Sequence, residues 1–236
     1  MSGDLIDTTE MYLRTVLELE EEGITPMRAR IVERLHHSGP TVSQTVSRME
    51  RDGLLSVAPD RSLQLTAEGR ATAVSVMRKH RLAERLLADV VGLDMAHVHE
   101  EACRWEHVMS ERVEQRLVDL LNDPELSPYG TPIPGRRPEG SGGGTPEAFG
   151  GLTLWDAATA EQRREHRVRL LPEVVQADLE LIDMLSSAGI LTGSRVTAEP
   201  NPGDEHRVLV TNVETGVSLD IDAATARAIR VTESLS

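Results

Sequence analysis

Four side chains in one short stretch could together hold a metal ion. His99, Cys103, Glu106 and His107 lie in a run, residues 99–107, that contains no Gly, Pro or turn-forming residue. If the run is helical, the four recur at i, i+4, i+7 and i+8 and share one face. A thiolate, a carboxylate and two imidazoles on one stripe suit a first-row transition metal better than calcium or magnesium, which take all-oxygen shells. A packing face would carry Leu, Ile or Val there; the bland alternative is a half-buried helix with a satisfied His and an inert Cys. His80 and Glu84, four apart, read either as a surface hydrogen bond or, with a second ligand stripe close behind, as two ligands of a shared metal shell; the second reading is favoured. Glu173 and Gln176, three apart on one helix face, are either oxygen donors or a solvated face.

The elements that must position these groups come from 236 residues with 2% aromatics, so the core is built from Leu, Val, Ile, Ala and Met. That length suits two compact domains, or one and a half with a linker. A single cysteine excludes an internal disulfide framework and fits a reducing cytosol. The start, Met1-Ser2-Gly3-Asp4, has no basic and apolar leader, and no apolar run is long enough to span a bilayer. The sequence therefore predicts a soluble, cytoplasmic protein with no membrane partner.

A net charge of -14 argues against nucleic acid only until its distribution is considered. Between Met27 and Arg81 ten basic residues face five acidic ones, a local balance of +5, while Glu18, Glu20, Glu21 and Glu22 lie just upstream. A basic module sits inside an acidic protein.

That module has a recognisable order. Asp7-Thr8-Thr9-Glu10 reads as a capping box opening a first helix that ends near Gly23. Thr25-Pro26 starts a second helix running to His37, Ser38-Gly39-Pro40 breaks it, and a third helix covers residues 41–52 before Gly53. Two short helices around a Gly-containing turn make a helix-turn-helix. The third helix buries Val42, Val46 and Met49 and turns Ser43, Gln44, Ser47, Arg48 and Arg51 outward, side chains that reach base edges and phosphates in a major groove. Residues 54–58 and 63–66 read as strands around Pro59-Asp60-Arg61-Ser62, a wing with Arg61 at its tip. A continuous helix follows over residues 67–89, then a central helix over 95–109 and another over 111–121, with apolar surface enough for homodimerisation. Pro and Gly crowd residues 124–151, the domain boundary. Beyond it, residues 152–155, 167–171, 193–198, 206–211, 217–221 and 228–231 read as strands and 172–188 as a helix: a small, mostly β domain.

The runs Asp7-Thr8-Thr9-Glu10-Met11-Tyr12-Leu13-Arg14-Thr15, Ser38-Gly39-Pro40-Thr41-Val42-Ser43-Gln44-Thr45-Val46, Met77-Arg78-Lys79-His80-Arg81-Leu82-Ala83-Glu84 and Glu101-Ala102-Cys103-Arg104-Trp105-Glu106-His107-Val108-Met109 resemble the diphtheria-toxin-repressor family of iron-dependent transcriptional regulators. The match runs nearly continuously from residue 4 to Gly135 and weakens after the linker. The resemblance implies a mainly α fold with a β C-terminal domain: a winged helix-turn-helix at 1–73, a helical metal-binding and dimerisation domain at 74–135, a linker at 136–151 and an SH3-like small barrel at 152–236. It implies a primary metal site of Met11, Cys103, Glu106 and His107, and an ancillary one of His80, Glu84, His99, Glu173 and Gln176. It also assigns base reading to Ser38, Pro40, Thr41, Ser43 and Gln44, and phosphate contacts to Arg28, Arg48, Arg51 and Arg61.

These residues predict a repressor, not an enzyme, that binds a palindromic double-stranded DNA operator as a homodimer, with two dimers per operator as an option. Sulfur at Met11 and Cys103 favours Fe(II) over Mn(II), with Co(II), Ni(II), Mn(II) or Zn(II) as substitutes in vitro. Since Met11 is some ninety residues from its partners, metal binding must clamp the first helix to the dimerisation domain. The alternatives are a manganese-responsive regulator of the same family, a metallohydrolase with a Cys-x-x-Glu-His signature, and a winged-helix regulator of an organic effector.

Overall fold

The computed structural model describes residues 7–135 and 149–233. Most of the linker read at 136–151 lies outside the described residues. The chain forms two compact units. One holds residues up to 86, 101–125 and 132–135; the other holds 87–100, 126–131 and 149–233.

In the first unit α1 (Thr8–Glu21) begins at Asp7, whose carboxylate accepts from the Thr9 and Glu10 amides. The capping box forms only in part: Glu10 does not reach back but bonds His107, 2.7 Å away. The α2 helix (Arg28–Leu35) starts later than predicted and stops at His36, which is left-handed (φ 53°). Ser38-Gly39-Pro40, read as a breaker, instead opens α3 (Gly39–Arg51): Ser38 is the N-cap and Pro40 lies in the first turn, where its missing N–H removes no helical bond. Val42, Val46 and Met49 of α3 are fully buried with Tyr12, Leu13, Val16, Ile31, Leu55, Leu63 and Met77. The wing is the antiparallel pair β1 (Leu55–Val57) and β2 (Leu63–Leu65).

The α4 helix (Ala67–Arg85), capped by Thr66, packs along α1 and then passes into a π-helical turn, Leu86–Val91, in place of the predicted straight run to 89. Arg81, fully buried, closes this layer by pairing with Glu21 (2.6 Å) and donating to the Pro132 carbonyl (2.6 Å). The central helix α5 (Met95–Trp105) ends before Glu106, so the predicted single helical face carrying all four donors stops short and Glu106 and His107 occupy the following turn. Ser110 caps α6 (Glu111–Leu120).

The second unit contains a five-stranded antiparallel sheet in the order β6–β5–β4–β3–β7, built from β3 (His166–Leu170), β4 (Arg195–Asn201), β5 (Asp204–Asn212), β6 (Ser218–Asp222) and β7 (Arg230–Val231). The predicted strand at 152–155 is overturned. Thr153 and Asp156 form a capping box there, which starts α7 (Leu154–Thr159). The helix read at 172–188 is interrupted: α8 (Glu173–Gln176) ends, and Asp178 recaps α9 (Leu179–Ser187) by accepting from the Leu181 amide. Of the last predicted strand, 228–231, Ala228 closes helix α10 (Ala223–Ala228), which Asp222 caps, and Arg230–Val231 form β7.

Candidate metal centre and DNA-facing surface

In the first unit the side chains of α1, α4 and the turn after α5 converge. His80 is fully buried on α4, with Nε2 2.8 Å from Glu84 and Nδ1 2.7 Å from Glu106 Oε2. Burial, the largest single influence, would lower its pKa and the Arg14 charge acts the same way, but the Glu84 carboxylate and Cys103 together hold the ring well above the ordinary histidine value. In that form both ring nitrogens donate to carboxylates, so His80 must lose a proton before it can ligate a metal. Glu106 is also buried; desolvation would raise its pKa, yet Arg14 and His80 bring it below the usual carboxylate value.

His107 Nε2 lies 3.3 Å from Glu106 Oε1, while its Nδ1 meets Glu10. Cys103 is half-buried, with both terminal nitrogens of Arg14 3.5 Å from Sγ. Arg14 also pairs with Glu106 and, through Nε at 2.8 Å, with Glu18. Met11 lies in α1 between Glu10 and Arg14 and packs half-buried against the winged-helix core.

In the second unit His99 Nδ1 stands 3.4 Å from Glu173 Oε2. Glu173 and Gln176 are buried, which decides against the solvated face that the sequence left open. Gln176 donates to the Leu171 carbonyl at 2.7 Å, but its Oε1 is buried with no hydrogen-bond partner among the described residues. A buried carbonyl-type oxygen with nothing to accept is costly unless a cation or donor satisfies it.

The residues present therefore fit a metal. Thiolate, imidazole and carboxylate donors cluster in the first unit, and a buried imidazole–carboxylate pair with an unsatisfied amide oxygen lies in the second.

On α3, Ser43, Gln44, Ser47, Arg48 and Arg51 are all exposed, as are Ser38, Pro40 and Thr41 at its start. Ser38 Oγ is 2.8 Å from Thr41 Oγ1 and accepts the Thr41 amide, so part of its hydrogen-bonding capacity is spent on the cap. Arg61 stands exposed at the tip of the wing in a left-handed conformation (φ 71°), and Arg28 is half-buried at the start of α2. The face is basic and polar, and a helix in the major groove with a wing beside it would use these groups.

Comparison with known proteins agrees with this geometry. Residues 4–63 match the family model described as iron dependent repressor, N-terminal DNA binding domain. Residues 66–135 match that of the iron dependent repressor, metal binding and dimerisation domain. The chain is 55% identical over 228 residues to the diphtheria toxin repressor of Corynebacterium efficiens, covering 97% of this chain and 96% of that protein. The chain belongs to the iron-dependent repressor family. Its members include the IdeR repressor of Mycobacterium tuberculosis, 59% identical over 201 residues, 85% of this chain and 87% of that one. Among solved structures, a manganese-dependent transcriptional repressor in complex with manganese matches with a TM-score of 0.74 at 26% identity, covering 97% of this chain and all of that one. ScaR with bound zinc shares the fold, with a TM-score of 0.75 at 23% identity over 96% of this chain and 99% of that chain. This repressor is thus a metal-dependent DNA-binding regulator with helical DNA-binding and dimerisation domains followed by an antiparallel sheet.

Residue types and spacing single out His80, Glu84, His99, Cys103, Glu106 and His107 as candidate donors, but not the groups around them. Glu10, Arg14 and Glu18 lie on α1 at successive four-residue intervals, a polar stripe that the reading of that helix as an apolar-faced element passed over.

Proposed function

We propose that this repressor is activated by Fe(II) and, as a homodimer, binds palindromic operators of iron-homeostasis genes in the cytoplasm, without catalysing a reaction. The observation that carries the reading is a pair of contacts from the first turn of α1. Glu10 bonds His107 in the turn that follows α5, and its neighbour Thr9 accepts from Arg48 of α3 at 3.4 Å. Adjacent residues of one helical turn thereby join the donor cluster to the recognition helix, so whatever fixes the cluster also biases α3.

In this reading Met11, Cys103, Glu106 and His107 hold the activating ion, and His80, Glu84, His99, Glu173 and Gln176 supply an ancillary set. A bound divalent cation would supply the positive charge that draws anionic and soft donors into one shell. Glu10 orients the His107 ring through Nδ1, leaving Nε2 to face the site. His80 and Glu84 support Glu106 from α4. The domain limits 1–73, 74–135 and 152–236 are retained as functional modules, and two dimers per operator remain compatible with a twofold repressor. Fe(II) is preferred to Mn(II) because a thiolate and a thioether are softer than manganese favours, and because the relatives at 55–59% identity are named for iron or as diphtheria toxin repressors.

The deciding test is operator binding with and without Fe(II) for the wild type, Met11→Leu and His80→Ala. Leucine keeps the packing of Met11 and removes its sulfur, so Met11→Leu is expected to lose the Fe(II) response with an unchanged melting temperature. His80→Ala is expected to weaken the response without abolishing it. Equal responses in all three proteins would end the two-site assignment.

The DNA-facing arginines carry a separate expectation. Arg48→Ala and Arg61→Ala should each weaken Fe(II)-loaded binding on every sequence alike and reduce the slope of log affinity against log salt by about one. Gln44→Ala should instead cost about 1–3 kcal/mol on the operator alone. Affinities measured between roughly 50 and 200 mM salt check both. A salt slope unchanged by Arg61→Ala would remove the wing from the interface.

A further inference from the structure

Arg14 is the one cation placed inside the donor cluster by the described part of α1, and nothing in the proposed function gives it a task. The residue is 7% exposed. It pairs with Glu106, lies 3.5 Å from Cys103 Sγ through each terminal nitrogen, and has Nη1 3.0 Å from His80 Nδ1. A guanidinium keeps its charge at every physiological pH and presents a rigid fork of donors, so it can bridge a carboxylate and a sulfur at once.

We propose that Arg14 is a built-in counter-cation of the metal site: it holds the Cys103–Glu106 cluster together in the metal-free repressor, competes with the metal ion for the same lone pairs, and so sets the metal concentration at which the repressor loads. The inference deepens the metal-site reading above and rests on it.

Three carboxylates, Glu18, Glu84 and Glu106, are each less than 5% exposed around this cluster. Without a cation among them they would repel one another in a medium that screens poorly, and a buried carboxylate stripped of its partner is strongly unfavourable. Arg14, whose charge is fixed, removes that penalty together with the His80 ring that lies between Glu84 and Glu106. The guanidinium faces the Cys103 sulfur and Glu106 Oε2, two atoms of the proposed donor set, so a metal ion that takes those atoms displaces Arg14 from them.

Glu18 makes the exchange practicable. Its carboxylate pairs with Nε of Arg14 at 2.8 Å, while the terminal nitrogens face Cys103 and Glu106. When the Nη contacts are given up, the guanidinium keeps a buried partner four residues along its own helix. Loading becomes replacement of one positive charge by two, a smaller electrostatic gain than filling a bare anionic pocket. The site is thereby detuned.

The test uses full-length protein and Co(II), whose bond to a thiolate gives a sulfur-to-metal charge-transfer band that reports Cys103 ligation. Wild type, Arg14→Gln and Arg14→Lys are titrated with Co(II), and each is melted with and without the metal. Arg14→Gln is expected to bind Co(II) about tenfold more tightly, within the usual range of a coupling between two ligands. Its metal-free melting point should fall while its loaded melting point stays near that of the wild type. Lysine keeps the charge but cannot bridge two acceptors, so Arg14→Lys should lie between the two. Equal or weaker Co(II) binding by Arg14→Gln overturns the inference. If that variant fails to fold without metal, Arg14→Lys decides in its place, and affinity no higher than wild type overturns it. Absence of the charge-transfer band from the wild type would instead overturn the assignment of Cys103 as a ligand, and this inference with it.

Discussion

A Cys103→Ala repressor is expected to bind operator DNA at the same low level whether or not Fe(II) is supplied. Cys103 is the only thiol in the chain, and its Sγ faces the buried Glu106 through a shared guanidinium. Removing it leaves nitrogen, oxygen and a thioether to hold the ion. Loss of an outer partner of a metal ligand already lowers affinity by roughly 10–100-fold, and loss of a ligand should cost more than that. At micromolar Fe(II) the site would then stay empty. The fold should survive: the side chain is half-buried near the end of α5, and Ala is the strongest helix former. Circular dichroism and melting of the metal-free proteins should therefore agree while anaerobic fluorescence anisotropy on operator DNA diverges. An Fe(II)-dependent rise in anisotropy for Cys103→Ala, equal to that of the wild type, would show that the thiolate is no part of the switch.

The elements whose residues answer to a single local rule were legible in the sequence. The outward face of α3 and its buried Val42, Val46 and Met49 follow from helical periodicity, and the wing follows from two short apolar runs around Pro59-Asp60-Arg61-Ser62. Local rules failed where a distant partner outbid a neighbour. Glu10 suits a capping box, yet an imidazole ninety-seven positions away takes its carboxylate because a partly buried charge-assisted bond is stronger than a solvated cap. Ser38-Gly39-Pro40 carries both a stop signal and a start signal, and the N-cap geometry of Ser38 makes it the start of α3. Leu152 to Trp155 has strand-like composition, but Thr153 and Asp156 complete a box that fixes the helical turn.

The candidate donors stand out by residue type for the same reason that the groups around them do not. A lone Cys among His and Glu is a rare combination, whereas an Arg and two Glu on a surface-length helix look like any solvated stripe. Only tertiary packing distinguishes them: α1 is enclosed on the side that carries Arg14 and Glu18, which leaves each less than 10% exposed, so an exposed-looking pattern becomes a buried ion pair. The functional consequence is that α1 serves two purposes. Its apolar side anchors the winged-helix core through Tyr12, Leu13, Val16 and Leu17, and its polar side touches the donor cluster.

Gly69→Ala is expected to destabilise the winged helix by about 2–3 kcal/mol, against the direction that helix propensity alone would give. Position 69 lies in the first turn of α4 with ordinary helical backbone, so Ala there should gain up to about 1 kcal/mol. A methyl group at this position would, however, stand 1.8 Å from the Leu54 carbonyl oxygen and 2.8 Å from its carbon. Both are backbone atoms, so no side chain can swing aside. The helix start would have to retreat by more than an ångström, and it is bound to that same strip of chain: the Thr66 hydroxyl donates to the Gly53 and Leu54 carbonyls at 2.8 and 3.1 Å, and the Thr66 amide donates to Leu54 at 3.1 Å. Losing these bonds as well makes the clash outweigh the propensity gain. Because Gly53 and Leu54 join α3 to the wing, the shift should also separate Arg51 from Arg61 and weaken operator binding even when metal is saturating. Gly39→Ala provides the contrast, since nothing among the described residues lies within 4 Å of the added carbon, and its stability should change by less than about 0.5 kcal/mol. Urea denaturation of the three metal-free proteins checks the pair, and a Gly69→Ala midpoint at or above the wild-type value would show that the approach of α4 to Leu54 is not as tight as its geometry indicates.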